Sequence, residues 1–379
     1  MTARRVRRLA AVAVAVGIGV ALLVTRSTPR PTVRALPPAA TASGCSAPGA
    51  GPGAPPSEPV APPAAVSVPG GISIDVRGLV PGAVAETPDG QVWVAATDPR
   101  AATPEALVAR LTPGATAPSS MTPIVDGCAV TAMATLGASV WVATCDPTAP
   151  AQAASDAELV QLDASGAVTA RVPVPSGCVA QLAAGATTLW ATTAPRSDAP
   201  PRLFRLTATT GALDEPVAFN GEQPDGLAVA GDDPWTARTS AAASRLVRSD
   251  GATGADAVDR PSGPTRAVGV QGGALWTADP TTGTLTARDA ATGAAETTVA
   301  VPTARAVALG ASGVWYEQAS AGSLTVTIGR VAPTGAATTV TTFTGPGPSE
   351  SGLPYLGTLS VTARGAWLAE QNHLFLLPA

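Results

Sequence analysis

The chain has 379 residues, 45% apolar and 13% charged, enough to fold around a sizeable core with appendages. It contains no lysine: all 23 basic residues are arginine, which excludes Schiff-base chemistry and a phosphate-loop lysine. Residues 1–70 hold seven Arg and one Glu, so residues 71–379 carry 16 Arg against 26 acidic residues, a net −10 with no electrostatic footprint for nucleic acid.

The first element is topogenic. Arg4, Arg5, Arg7 and Arg8 precede an uncharged apolar run from Leu9 to Val24. As a helix that run reaches about 24 Å, short of a ~30 Å hydrocarbon core, which suits a long secretory segment or a short signal anchor. No Ala-x-Ala cleavage site follows closely, so the reading favours an uncleaved helix over residues 1–25. The arginine cluster keeps the N-terminus inside and sends the rest outside. Residues 26–70 are rich in Pro, Ala and Gly, as in GPGAPPSEPVAPPAA. They bury too little to offset their ordering entropy and read as a disordered stalk.

From residue 71 onward one motif recurs. Trp93, Trp141, Trp190, Trp235, Trp276, Trp315 and Trp367 each follow a Gly/Ala-rich turn, at steps of 48, 49, 45, 41, 39 and 52 residues. A repeat of this length built from strands marks a β-propeller blade. The spacing predicts an all-β, seven-bladed propeller over 71–379. The sixth repeat shows the unit: ARAVALGA as strand A, GVWYEQ as B, SLTVTIGRVA as C and AATTVTTFT as D. Each tryptophan is expected as a wedge between blades, its indole N–H on a backbone carbonyl. After Trp367 there is room for one more strand, so the segment 72–78, with Ile72, Ile74 and Val76 alternating, is expected to complete the last blade. GATGADAVD (251–259) resembles a calcium-binding repeat but aligns with the turns between strands C and D of neighbouring blades, and is read as such a turn.

Cys128 and Cys178 begin the A strands of blades two and three, and Cys145 ends the B strand of blade two. An A–B turn at Gly137-Ala138 sets Cys145 opposite Val130. A disulfide of Cys145 with either Cys128 or Cys178 follows if the domain is extracytoplasmic, and Cys45 could take the cysteine left over.

GASVWVAT, LTARDAATGAAETTVAVPTARAVALGASGVWYE and ETPDGQVWVAA resemble the YVTN and virginiamycin B lyase-like propeller repeats of bacterial secreted proteins. The lyases of that group use two histidines and a glutamate around magnesium. With His373 as its only histidine, in the last hairpin, this chain cannot supply that set. The resemblance therefore implies fold rather than activity.

Strand B ends on the rim where strand A begins. Residues just after each tryptophan are thus expected at the channel mouth: Asp98, Asp146, Arg238, Asp279, Glu317 and Glu370. The starts of strand A add Asp225, Arg266 and Arg305. Such a set could frame a polar ligand or a hard cation such as calcium; no other cofactor and no catalytic set is expected. The reading is a non-catalytic binding or scaffold module at the cell envelope, recognising a protein or an envelope glycan. A single membrane pass holds the propeller outside, or the protein is secreted if the segment is cleaved. The alternative is a metal-dependent hydrolase or lactonase working in the channel.

Overall fold

A computed structural model describes residues 67–379, apart from 78, 99–104, 127–128, 146–156, 176, 195–199, 208–210, 215, 266, 272, 280, 303, 311, 320–324, 333–334, 345–357 and 371–372. The apolar run 9–24 and the stalk up to residue 66 lie outside them. Among the described residues no helix is long and apolar enough to cross a membrane.

Strand β1 (Ile72–Ile74) comes first. Blade one is β2 (Val80–Glu86), β3 (Val92–Asp98), β4 (Glu105–Leu111) and β5 (Ser120–Asp126). Blade two is β6 (Ala129–Leu136), β7 (Ser139–Cys145), β8 (Glu158–Leu162) and β9 (Val168–Pro173). Blade three is β10 (Val179–Ala184), β11 (Thr188–Thr193) and β12 (Arg202–Thr207), with an outer strand split into β13 (Ala212–Leu213) and β14 (Val217–Ala218). Blade four is β15 (Gln223–Ala230), β16 (Asp233–Thr239), β17 (Ser244–Ser249) and β18 (Asp256–Ser262). Blade five is β19 (Ala267–Gln271), β20 (Ala274–Asp279), β21 (Thr284–Asp289) and β22 (Ala295–Ala300). Blade six is β23 (Ala304–Gly310), β24 (Gly313–Ala319), β25 (Thr325–Val331) and β26 (Ala337–Thr344). Blade seven is β27 (Thr358–Thr362), β28 (Gly365–Glu370) and β29 (His373–Pro378). Each blade is an antiparallel meander, and β1 adds outside β29 in the register Ile72↔Leu376, Ile74↔Leu374.

The core lies in seven seams, one between each pair of neighbouring blades. Trp93 packs with Val140, Val142, Val160 and Leu162 of blade two, and Trp141 with Leu189, Phe204 and Leu206 of blade three. Trp190 meets Leu227, Trp235 meets Val268 and Leu275, and Trp276 meets Val314 and Tyr316. Trp315 packs on Ala366, Leu368 and Phe375 of blade seven. Trp367 closes the ring against Val84, Val92 and Val94 of blade one, joined by Ile74, Val76 and Leu79. Six of the seven indoles are at most 1% exposed, and Trp276 is half-buried.

Directly across from each tryptophan, strand A carries a small residue: Ala85, Ala134, Ala183, Ala228, Gly269, Ala308 and Ser360. Small side chains let the innermost strands approach one another. At Gly269 even a methyl group is too large, since a Cβ there would sit 2.5 Å from Leu309 Cβ of the next blade. The indole tips reach the C–D turn of the following blade. Gly293, at φ +70°, ends such a turn, and a Cβ on it would lie 2.8 Å from the Trp235 ring.

The indole N–H groups meet the expectation of a backbone carbonyl in two blades and depart from it in others. Trp190 and Trp235 donate to the carbonyls of Asp232 and Ala290 in the next blade, each at 3.0 Å. Trp315 and Trp367 instead use hydroxyls of their own blades, Ser312 and Thr362. Those of Trp93 and Trp141 are buried with no partner among the described residues.

Arginines reinforce the seams. Arg110 reaches the Ala164 carbonyl of blade two, Arg205 that of Ala252 in blade four, and Arg260 that of Thr292 in blade five. Residues 250–255 form the turn between β17 and β18. Asp250 accepts hydrogen bonds from Ala252 N, Thr253 N and Thr253 Oγ1, the last holding its carboxyl below the usual range.

Candidate functional site

On the rim where strands A begin and strands B end, the A strands are irregular. Register shifts leave an unpaired residue at Thr131, Ala180, Asp225 and Arg305, and two in blade one. Such bulges re-aim side chains at the ends of a sheet. Asp225 is half-buried on its bulge. Arg305 occupies the same place on β23, and Arg266 lies outside the described residues, as does Asp146.

The residues after the tryptophans do not share one environment. Alternation along a strand decides where they go. Arg238 is three positions beyond Trp235, so it faces the opposite way, into the seam with blade three. It is 3% exposed and held by both oxygens of Asp256, at 2.8 and 2.9 Å. Its Nε donates to Thr236 Oγ1 at 2.9 Å, and its guanidinium lies 4.9 Å from the centre of the Phe219 ring. Asp279 is likewise three beyond its tryptophan. It is half-buried and accepts hydrogen bonds from Thr281 N and Thr282 N, capping its own B–C turn. Glu317 is two beyond Trp315, on the same side, and fully buried. Asp98 ends β3 half-buried, and Glu370 ends β28 opposite His373. Among the described residues no three His, Cys, Asp or Glu side chains are grouped to hold a metal ion.

The rim also carries a disulfide. Cys145, at the end of β7, is bonded to Cys178, just before β10, and so links blades two and three. Cys128 lies outside the described residues. The A–B turn does fall at Gly137-Ala138, but the bulge at Thr131 shifts the pairing, and Cys145 stands opposite Ala129 rather than Val130.

Sequence reasoning missed a cleft of about 470 Å³ between blades three and four. Its walls include Phe219 and Glu222 from blade three, with Arg238, Arg245 and Asp256 from blade four. Arg245 bridges Glu222, with Nε to Oε1 at 2.8 Å, and Asp259. The Glu222 hydrogen bond raises the Arg245 pKa further above its ordinary value. A signal was present: the third repeat has Asp214 and Pro216 where blades two, five and six carry Val- and Thr-containing outer strands. A smaller cleft of about 400 Å³ beside the clasp is lined by Asp75, Arg77, Thr116 and His373.

A closed ring of seven four-stranded antiparallel sheets defines the chain as a seven-bladed β-propeller. No family model matches the sequence, and no curated protein matches it significantly. Solved structures match the fold. One of the mitotic checkpoint complex is similar at a TM-score of 0.57 and 13% identity, over 86% of this chain and 95% of that one. The propeller domain of Cps50 (Swd1) from Myceliophteria thermophila gives 0.56 and 12%, over 82% and 99%. Hydrazine synthase from Kuenenia stuttgartiensis gives 0.56 and 11%, over 81% and 97%.

Proposed function

We propose that this protein is a membrane-tethered, extracytoplasmic propeller that binds a protein partner through the rim carrying its B–C connections, without catalysis. The observation that carries the reading is the Cys145–Cys178 bond, which ties two blades together on that rim. Disulfides of this kind persist in oxidising compartments. The arginine-led apolar run at residues 4–24 supports the same side of the membrane. So does the likeness of the tryptophan repeats to YVTN-type propellers of secreted proteins. A ring packed at all seven seams is a rigid platform, and the mitotic checkpoint structure is one of a protein complex.

The test places a photo-crosslinker in the full-length protein in cells. Thr281 is exposed on the B–C rim and Ala138 on the opposite one. A discrete protein adduct from Thr281 and none from Ala138 is expected, with the propeller digested by protease added outside the cell. Adducts from neither position, or a protected propeller, overturn the proposal.

A further inference from the structure

We infer that the cleft between blades three and four is a binding site for a neutral saccharide of about disaccharide size. This goes beyond the rim reading and does not depend on it. The cleft exists because blade three breaks the pattern of the ring. Its outer strand is two pieces of two residues each, β13 and β14, where the outer strands of blades one, two, four, five and six run to six residues or more. The gap is not refilled by aliphatic side chains. The face of blade four that looks toward it carries Thr236, Arg238, Arg245, Ser249 and Asp256 around the buried Val247.

These groups are fixed before any ligand arrives. Arg238 is immobilised by Asp256, Thr236, Ser249 and the Phe219 ring. Glu222, at 13% side-chain exposure, fixes Arg245 from the opposite wall. What remains accessible alternates in character: Asp256 exposes 43% of its side chain as an acceptor, and Arg245 exposes 33% as a donor.

The lining charges cancel. Arg238 and Arg245 face Glu222 and Asp256, two against two. Within the lining no excess charge is left to compensate a phosphate, a carboxylate or a cation; Asp259, which also pairs with Arg245, lies outside it. A hydroxyl group both donates and accepts, so a polyol can bridge neighbouring carboxylate and guanidinium groups without adding charge. Val217, Ala218 and Ala255 supply apolar wall for the C–H faces of a pyranose. A volume of about 470 Å³ is within the range of small-ligand sites.

In the experiment, the purified full-length protein is titrated calorimetrically with maltose, cellobiose, trehalose and N,N′-diacetylchitobiose. Digalacturonic acid and chitosan disaccharide serve as charged controls. At least one neutral sugar should bind, with both charged controls at least tenfold weaker. Ala255→Phe puts a ring into the cleft from an exposed position outside the ion-pair network. It should weaken binding at least tenfold at an unchanged melting temperature; Asp256→Asn should weaken binding too, with a lowered melting temperature because Arg238 loses its counter-charge. Binding of none of the four sugars overturns the inference. So does equal binding of a charged control, or an affinity that Ala255→Phe leaves unchanged.

Discussion

Two tryptophans on equivalent positions of the ring differ in one atom's company, and a matched pair of substitutions exposes the difference. Trp235 and Trp141 are both at most 1% exposed. The Trp235 N–H donates to Ala290 O at 3.0 Å, while that of Trp141 has no partner among the described residues. Trp→Phe removes ~35 Å³ at either site, worth about 1 kcal/mol at the usual cavity cost. At position 235 the change also deletes a hydrogen bond and strands a carbonyl, adding roughly 1–2 kcal/mol. At position 141 it deletes a buried unpaired donor and recovers about 1 kcal/mol or more. Trp235→Phe should therefore cost about 2–3 kcal/mol and Trp141→Phe close to nothing. Guanidinium unfolding followed by the fluorescence of the remaining tryptophans measures both. Losses equal to within about 0.5 kcal/mol would refute the reasoning.

Deleting residues 71–78 removes Ile74 and Val76 from the closing seam, at about 1.5–3 kcal/mol each, and bares the edge of β29; the whole ring should melt earlier in calorimetry. Replacing Cys145 and Cys178 together by serine frees a link across 33 residues and should lower stability by about 2–4 kcal/mol, matched by adding reductant to the parent protein. Asp232 joins the A–B turns of blades three and four. Burial opposes its ionisation, but hydrogen bonds from Thr187 N, Thr187 Oγ1 and Thr188 Oγ1 outweigh that and hold its pKa down. A depressed carboxylate contributes stability above its unfolded pKa of about 3.9, and that contribution fades as pH falls through the folded value. Asp232→Ala should lose melting temperature at pH 6 and show a shallower acid decline than the parent; parallel pH curves would count against the role given to this carboxylate.

The blades were legible because one large side chain is repeated at one structural position. The residues facing the indoles on strand A, Ala85 through Ser360, repeat just as regularly, and on strand C an arginine faces the indole in four blades, at Arg110, Arg205, Arg248 and Arg330. The rim residues were harder. Proximity to a tryptophan in sequence sets the height of a residue along strand B, and the parity of its offset sets which seam it enters. Arg238, at an odd offset, became the centre of the seam between blades three and four instead of a channel ligand. Parity was readable in advance; the bulges on the A strands were not. The indole partners depended on which carbonyl or hydroxyl each following turn happened to present.

The way residues 68–74 enter the ring has a mechanical consequence. Before reaching β1 the chain buries Val68 among Trp315, Ile328 and Phe343, and Thr341 Oγ1 grips the carbonyl of Pro69 at 2.8 Å. A force applied at the N-terminal end of the described residues is thus met first by this plug between blades six and seven. The three pairs that shut the circle are loaded only after the plug has been drawn, so such a pull must undo two fastenings in succession before the ring can open.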